Sequence, residues 1–185
     1  MDTDTARLRE ILLEKSYQQG TFTLTSGRTS DFYIDGKQTT LDAEGAYLCG
    51  KLLHQLIRRR QSATVAAVGG MTLGADPLVT AVAVASFLVH DPMSAFIVRK
   101  EAKGHGTGQA LEGVKHLPSG SRVALVEDVV TTGGTLLKVI DIVSRAGYVV
   151  DVVTTVVDRE EGGAEALAAR GCILAPLFTR TSLLA

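Results

Sequence analysis

Residues 122–135 read RVALVEDVVTTGGT, and this stretch decides the fold. Residues 123–126 form a short apolar run closed by polar residues, which predicts a buried strand. The strand delivers two adjacent carboxylates, Glu127 and Asp128, to its C-terminal edge, with Val129 and Val130 behind them. A Thr/Gly loop of Thr131, Thr132, Gly133, Gly134 and Thr135 follows, and an amphipathic run begins at Leu136. Such a turn exposes backbone N–H groups, and the next helix points its N-terminus at the same spot. The loop suits a phosphate, and the acids suit hydroxyl groups. A sugar phosphate presents both.

The loop is not one of the commoner phosphate binders. A P-loop needs a Ser or Thr after its Gly-Lys pair. Gly45, Gly50 and Lys51 have that spacing, but Leu52 stands at the hydroxyl position and the match falls within an amphipathic helical pattern. The run Gly104, Gly106, Gly108 meets Gln109 and is no dinucleotide fingerprint.

Working outward, strands alternate with helices along the whole chain. Helical patterns cover 4–18, with Gly20 as its stop, then 42–60, 134–146 and 163–170, and a further helix is entered near Asp76-Pro77. Strands are expected at 64–68, followed by a Gly69-Gly70 turn, then at 95–98, 122–129, 148–157 and 172–178. Residues 21–41 read as short strands and turns. This alternation predicts an α/β fold, with right-handed crossovers and a mostly parallel central sheet flanked by helices. Ligands in that architecture gather at the C-terminal strand ends. Arg99-Lys100, Glu127-Asp128 and Asp158-Arg159 all fall at such ends. No repeat, low-complexity tract or linker interrupts the chain, so residues 1–185 read as a single domain, with 1–40 a small add-on beside the sheet.

The composition agrees. The 185 residues carry a net charge of −1 and are 45% hydrophobic, enough for one substantial core. A near-neutral charge argues against nucleic acid as a partner, and no apolar run approaches a membrane span. The N-terminus, MDTDTARLRE, lacks a signal-peptide layout. Cys49 and Cys172 are isolated in apolar neighbourhoods, which predicts reduced core thiols in a cytoplasmic protein. The histidines at 54, 90, 105 and 116 form no pair with metal-ligand spacing.

A second segment carries chemistry. Arg99, Lys100, Lys103 and His105 set three permanent cations and a histidine within seven residues, followed by Gly106 and Gly108. Glycines this dense predict a mobile loop over 99–112 unless a ligand orders it. A pyrophosphate is such a ligand, because charge-assisted hydrogen bonds from Arg and Lys are the stronger class. Seen alone, the segment could equally be a solvated hairpin tip.

Together these motifs resemble the type I phosphoribosyltransferases. The 122–135 segment is similar to their phosphoribosyl-pyrophosphate (PRPP) signature, and Arg99, Lys100, Lys103 and His105 match the basic loop of the orotate phosphoribosyltransferases residue by residue. Phe22 to Ser30, FTLTSGRTS, followed by Phe32, Tyr33 and Gly36, is also similar to that family, as is Asp158-Arg159-Glu160. The resemblance spans most of the chain, to about residue 160. It implies transfer of ribose 5-phosphate from PRPP to orotate, giving orotidine 5′-monophosphate and pyrophosphate, in pyrimidine biosynthesis. It further implies Mg²⁺ carried by PRPP rather than by protein side chains, and a homodimer whose basic loop reaches the neighbouring site. In the family pattern, residues 127–135 hold the ribose hydroxyls and the 5′-phosphate, Arg99, Lys100, Lys103 and His105 hold the pyrophosphate, and Thr131 and Arg159 contact orotate. Arg99, Lys103 and His105 are the candidates for stabilising the leaving group.

Two departures stand out. Many members of the family have lysine where this chain has Thr25 and Leu73, so contacts made by those lysines do not carry over. Thr72 and the backbone N–H groups of 69–74 are candidates for the pyrophosphate or its metal, and Asp76 reads as a helix cap. Two rivals share the PRPP loop: a transferase for another base, and a non-catalytic PRPP-sensing regulator.

Overall fold

The computed structural model describes residues 2–23, 29–100 and 110–185. Thr25, Arg28, Lys103 and His105, on which the sequence raised expectations, lie outside the described residues. Helix α1 (Thr3–Ile11) is capped by Asp2, whose carboxylate accepts the Thr5 N–H at 2.8 Å. It continues through a π-type turn (Leu12–Ser16) directly into β1 (Tyr17–Thr23), which pairs antiparallel with β2 (Thr29–Ile34) as a separate two-stranded sheet. Helical structure therefore ends at Ser16, and Gly20 lies inside β1 instead of stopping a helix. A short α2 (Lys37–Thr40) leads to the long α3 (Ala43–Arg60), started by Asp42, which accepts the Gly45 N–H at 3.0 Å. Such a cap contributes about 1 kcal/mol.

The remaining elements are β3 (Ala67–Met71), α4 (Asp76–Leu88), β4 (Ser94–Val98), β5 (Leu111–Glu112), β6 (Arg122–Val130), α5 (Gly134–Arg145), β7 (Val149–Asp158), α6 (Gly163–Ala168), β8 (Leu174–Thr179) and α7 (Arg180–Leu184). Six strands form one sheet in the order β5-β4-β3-β6-β7-β8, parallel except for β5. Side chains of β6 show how the layers form. Ala124 and Val126 join the core beneath α1, α3 and α4, with Leu12, Leu53, Ile57, Leu78 and Val82. Val123 and Leu125 join the opposite core, with Leu136, Val139 and Val143 of α5 and Leu167 of α6. A strand covered on both faces reads as an unbroken apolar run, as 123–126 does. α1 thus belongs to the main body, and only the β1–β2 hairpin stands apart from the sheet.

Two expectations shift. The third strand begins at Ala67, three residues later than expected, and contains Gly69 and Gly70. A Cβ at Gly69 would lie 2.1 Å from the Phe96 ring, and one at Gly70 would lie 2.3 Å from the Val126 carbonyl oxygen. These glycines serve close packing within the sheet, and the turn falls on 72–75. Cys49 is fully buried, whereas Cys172 is only partly so; both are free thiols. Among the described residues, no helix is long and apolar enough to cross a membrane.

The chain moves outward from β3 to β4 through α4 and, in the other direction, from β6 to β7 through α5. The sheet therefore switches direction between β3 and β6. In open α/β sheets the crevice at the C-terminal ends of two such strands is where ligands bind.

Candidate active site

Glu127 and Asp128 stand on that crevice. Glu127 is 9% exposed, and its Oε2 is buried with no hydrogen-bond partner. Asp128 Oδ1 accepts the Val129 N–H at 2.9 Å. Two glycine backbones from distant parts of the chain press on the pair. A Cβ at Gly74 would lie 2.7 Å from Asp128 Oδ1 and 3.2 Å from Glu127 Oε1, and one at Gly36 would lie 2.9 Å from Asp128 Cβ. Any side chain at either position displaces Asp128. Lys37, beside Gly36, pairs with Asp35 at 2.7 Å, and its charge is also felt at Asp128.

Burial first, and then the neighbouring Asp128, push the Glu127 carboxyl up to about 8; the Lys100 charge opposes this. Burial also raises Asp128, against the pull of the Val129 N–H and Lys37. Adjacent acids of this kind titrate as a pair. The folded protein therefore holds a proton near neutral pH that the unfolded chain, with Glu near its ordinary 4.5, has released. Stability then falls as pH rises from about 4.5 to about 8. Glu127→Gln should remove most of this slope, leaving a variant that gains on the unaltered protein by about 2–5 kcal/mol across the window. Urea melts at pH 5, 6.5 and 8 check it; parallel stability curves for both proteins would refute the shift.

The Thr/Gly loop closes the crevice from the other side. Glu127 and residues 129–136 line a cavity of about 210 Å³. Gly133 has φ 77°, a left-handed conformation that favours glycine, and α5 begins behind it with no side-chain cap. The first-turn N–H groups of a helix have no intrahelical partner, so this end offers open donors. The back of the loop rests on Gly163, where a Cβ would lie 2.5 Å from Val130 Cγ1 and 2.8 Å from the Thr131 carbonyl oxygen. The cavity thus has the uncapped start of α5 on one side and Glu127 on another, with Asp128 next to it in sequence.

Arg159 and Thr131 come side by side, because the Arg159 N–H donates to the Val130 carbonyl at 2.9 Å. The guanidinium is buried, pairs with Glu161 at 2.7 Å and lies 4.5 Å from the centre of the Phe32 ring. Arg99 pairs with Glu112 at 3.0 Å, and its N–H donates to the Ala110 carbonyl at 2.8 Å. The two stems of the basic segment are thereby tied together at the end of β4, and Lys100 is exposed there. Asp76 is not the cap of α4: Ala75 occupies that position, and Asp76 Oδ2 instead accepts the Thr72 hydroxyl at 2.7 Å.

Sequence reasoning gave no role to Gly36, Lys37, Phe32 or Glu161, and gave Gly74 only a backbone N–H among those of 69–74. Phe32 and Gly36 were visible only as parts of a matching motif. Among the described residues, no group of three or more His, Cys, Asp and Glu is placed to hold a metal.

Known proteins resemble this chain over most of its length. Residues 39–171 match the family model described as a phosphoribosyl transferase domain. The orotate phosphoribosyltransferase of Thermosynechococcus vestitus is 50% identical over 188 residues, covering 99% of this chain and 96% of its own. That of a Nostoc species is 46% identical over 173 residues, covering 94% and 82%. The crystal structure of Mycobacterium tuberculosis orotate phosphoribosyltransferase in complex with Fe(III) dicitrate superposes with a TM-score of 0.83 at 39% identity, covering 97% of this chain and 98% of that one. The structure of that enzyme in complex with PRPP gives 0.78 at 32% identity, covering 99% and 93%.

Proposed function

This chain belongs to the orotate phosphoribosyltransferases of the phosphoribosyl transferase family, and from that membership we propose how its residues divide the work. The reaction is transfer of ribose 5-phosphate from PRPP to orotate, releasing pyrophosphate and forming orotidine 5′-monophosphate for pyrimidine biosynthesis. The observation that carries the assignment of roles is the buried Glu127, which shares one small cavity with the uncapped Thr/Gly loop, and Asp128 beside it, held between the backbones of Gly36 and Gly74.

Glu127 and Asp128 accept hydrogen bonds from the ribose hydroxyls. The open amides of the loop, with the hydroxyls of Thr131, Thr132 and Thr135, hold the 5′-phosphate. Thr131 and Arg159 hold orotate, with Glu161 and Phe32 fixing the guanidinium. Orotate then lies in line with C1′, so the enzyme gains chiefly by positioning. Departure of pyrophosphate leaves positive charge on the ribose ring, as in glycoside cleavage. Arg99, Lys100, Lys103 and His105 stabilise the departing group. Closing this loop over the site would also keep water from PRPP.

Magnesium fits these residues. Asp128 and Glu127, whose Oε2 is buried without a partner, suit a cation brought in on PRPP, whose charge would favour release of the Glu127 proton. The metal supplies charge neutralisation at the pyrophosphate, and Glu127 and Asp128 would take hydrogen bonds from its waters. We read residues 1–185 as one catalytic unit, with the β1–β2 hairpin within 1–40 as its hood. A homodimer is supported by the exposed apolar residues Val84, Phe87, Leu88 and Val89 toward the end of α4, while sharing of the loop rests on the family resemblance alone. The cytoplasm is the proposed compartment, supported by two free thiols.

The test is loss of orotate absorbance on adding PRPP and Mg²⁺, with hypoxanthine, adenine and uracil assayed in parallel by product chromatography. Turnover of orotate alone is expected. Turnover of another base would overturn the substrate, and saturable PRPP binding without any turnover would make the protein a sensor.

A further inference from the structure

Resting on the reading of Arg159 as an orotate contact, we propose that Arg180 is a positioning residue for recognition of the base. Through the Phe32 ring it fixes where the Arg159 guanidinium stands, so that α7 and the β1–β2 hairpin together set the selectivity for an anionic base. The topology brings the parts together. Asp158 and Thr179 are paired at the ends of β7 and β8, so Arg159 and Arg180 leave the sheet side by side. Both guanidiniums meet the buried Phe32 ring of β2, with Cζ atoms 4.5 Å and 4.4 Å from its centre. Two cations sharing one ring repel each other, and each has its own acid. Arg159 pairs with Glu161 at 2.7 Å, and Arg180 pairs with Asp31 at 3.1 Å.

The two acids act differently. Glu161 is close to Arg159 in sequence, so their pairing ties the guanidinium only to its own loop. Phe32 relates that guanidinium to a distant strand, and through Asp31, next to Phe32, Arg180 binds the same strand to α7. The start of α7 is held in turn by Glu160. That residue stands at φ 58°, in the left-handed region, with its N–H donating to Asp158 Oδ1 at 2.9 Å. Its carboxylate accepts the N–H and the hydroxyl of Thr181 at 2.8 and 2.7 Å. Such a conformation is uncommon outside glycine, and here it docks α7 beside the arginine. Further along, α7 buries Leu183, whose carbonyl accepts a hydrogen bond from the Arg9 guanidinium at 2.8 Å. Orotate differs from uracil by a carboxylate, and a planar fork recognises a carboxylate best when it is fixed before the ligand arrives.

Steady-state kinetics with each substrate varied in turn tests this. Arg180→Ala should raise KM for orotate about five- to twenty-fold, with kcat and KM for PRPP within about two-fold. Arg180→Lys keeps the charge but loses the planar fork, and should recover little of the loss. Glu160→Ala, which releases the start of α7, should raise the same constant and leave KM for PRPP in place. In a Phe32→Leu background, Arg180→Ala should change KM for orotate by less than about two-fold, because its route to Arg159 is already gone. Effects of the two substitutions that simply multiply would overturn the inference. So would full recovery by lysine, the mark of a long-range charge, or equal weakening toward both substrates, the mark of a structural latch. An unchanged KM for orotate in Arg180→Ala overturns it even if the Phe32 variant does not fold. An unaltered chain that does not turn over orotate would remove the functional reading, and the inference with it.

Discussion

Replacing Asp128 with asparagine should lower kcat/KM for PRPP by about 10²–10³-fold and leave the melting temperature unchanged or raised. Asp128 is wedged between the backbones of Gly36 and Gly74, so the isosteric amide has room only in the carboxylate's place. One oxygen is engaged by the Val129 N–H, and asparagine keeps that bond by presenting its carbonyl there. Its NH₂ then stands where the second oxygen was, turning an acceptor for a ribose hydroxyl or a metal-bound water into a donor. The negative charge is lost as well, in a crevice where burial makes electrostatics strong. A loss of about 10²–10³ corresponds to ~3–4 kcal/mol of transition-state stabilisation, the range seen when one well-placed group is removed from an active site. Stability should respond the other way, because burial and the neighbouring acid penalise ionisation of the Glu127–Asp128 pair. Steady-state kinetics in PRPP together with a thermal melt separates the two effects. Ordinary kinetics in the variant would remove the acid pair from the substrate site.

The same acids show how far the sequence could be read. Strand β6, its carboxylates and the Thr/Gly loop are a contiguous stretch, and contiguous order is what periodicity and turn chemistry report. The crossover pattern followed from that alternation, and with it the C-terminal strand ends as the place for ligands; the strand order that puts the crevice between β3 and β6 came from the structure. What escaped the sequence was set by contacts between residues far apart in the chain. Gly69 and Gly70 read as a turn because glycine pairs usually punctuate strands, yet here the Phe96 ring and the Val126 carbonyl claim the space of their side chains. Gly36 and Gly74 matter because they back onto Asp128, and no local pattern records that. Asp76 resembled a helix cap from its place before Pro77, but the Thr72 hydroxyl engages its carboxylate. Fold and motif were legible; the supports that hold the motif in place were not.

Lys103→Ala should lower kcat by about 10²–10³-fold while changing orotidine 5′-monophosphate affinity by less than about two-fold. Three permanent cations belong to the basic segment, and the structure accounts for the surroundings of two. The Arg99 guanidinium is tied to Glu112 at 3.0 Å, and the Lys100 charge acts on Glu127. Arg99 also has a structural duty, since its N–H joins the stem of the segment to Ala110. Lys103, three residues beyond Lys100, lies outside the described residues, and the family resemblance gives its charge to the leaving group. Pyrophosphate gains charge only as its bond to C1′ breaks, so a contact made to that charge is worth more in the transition state than in the ground state. Its removal therefore appears in kcat, with KM for orotate nearly unchanged. Lys103→Arg, which keeps the charge but changes its shape and reach, should recover part of the rate. An unchanged kcat in Lys103→Ala would take the basic segment out of the chemical step and leave Arg99 and Lys100 as ground-state anion contacts. A fall in orotidine 5′-monophosphate affinity equal to the fall in kcat would mean that the segment shapes the whole site and has no particular bond to the leaving group.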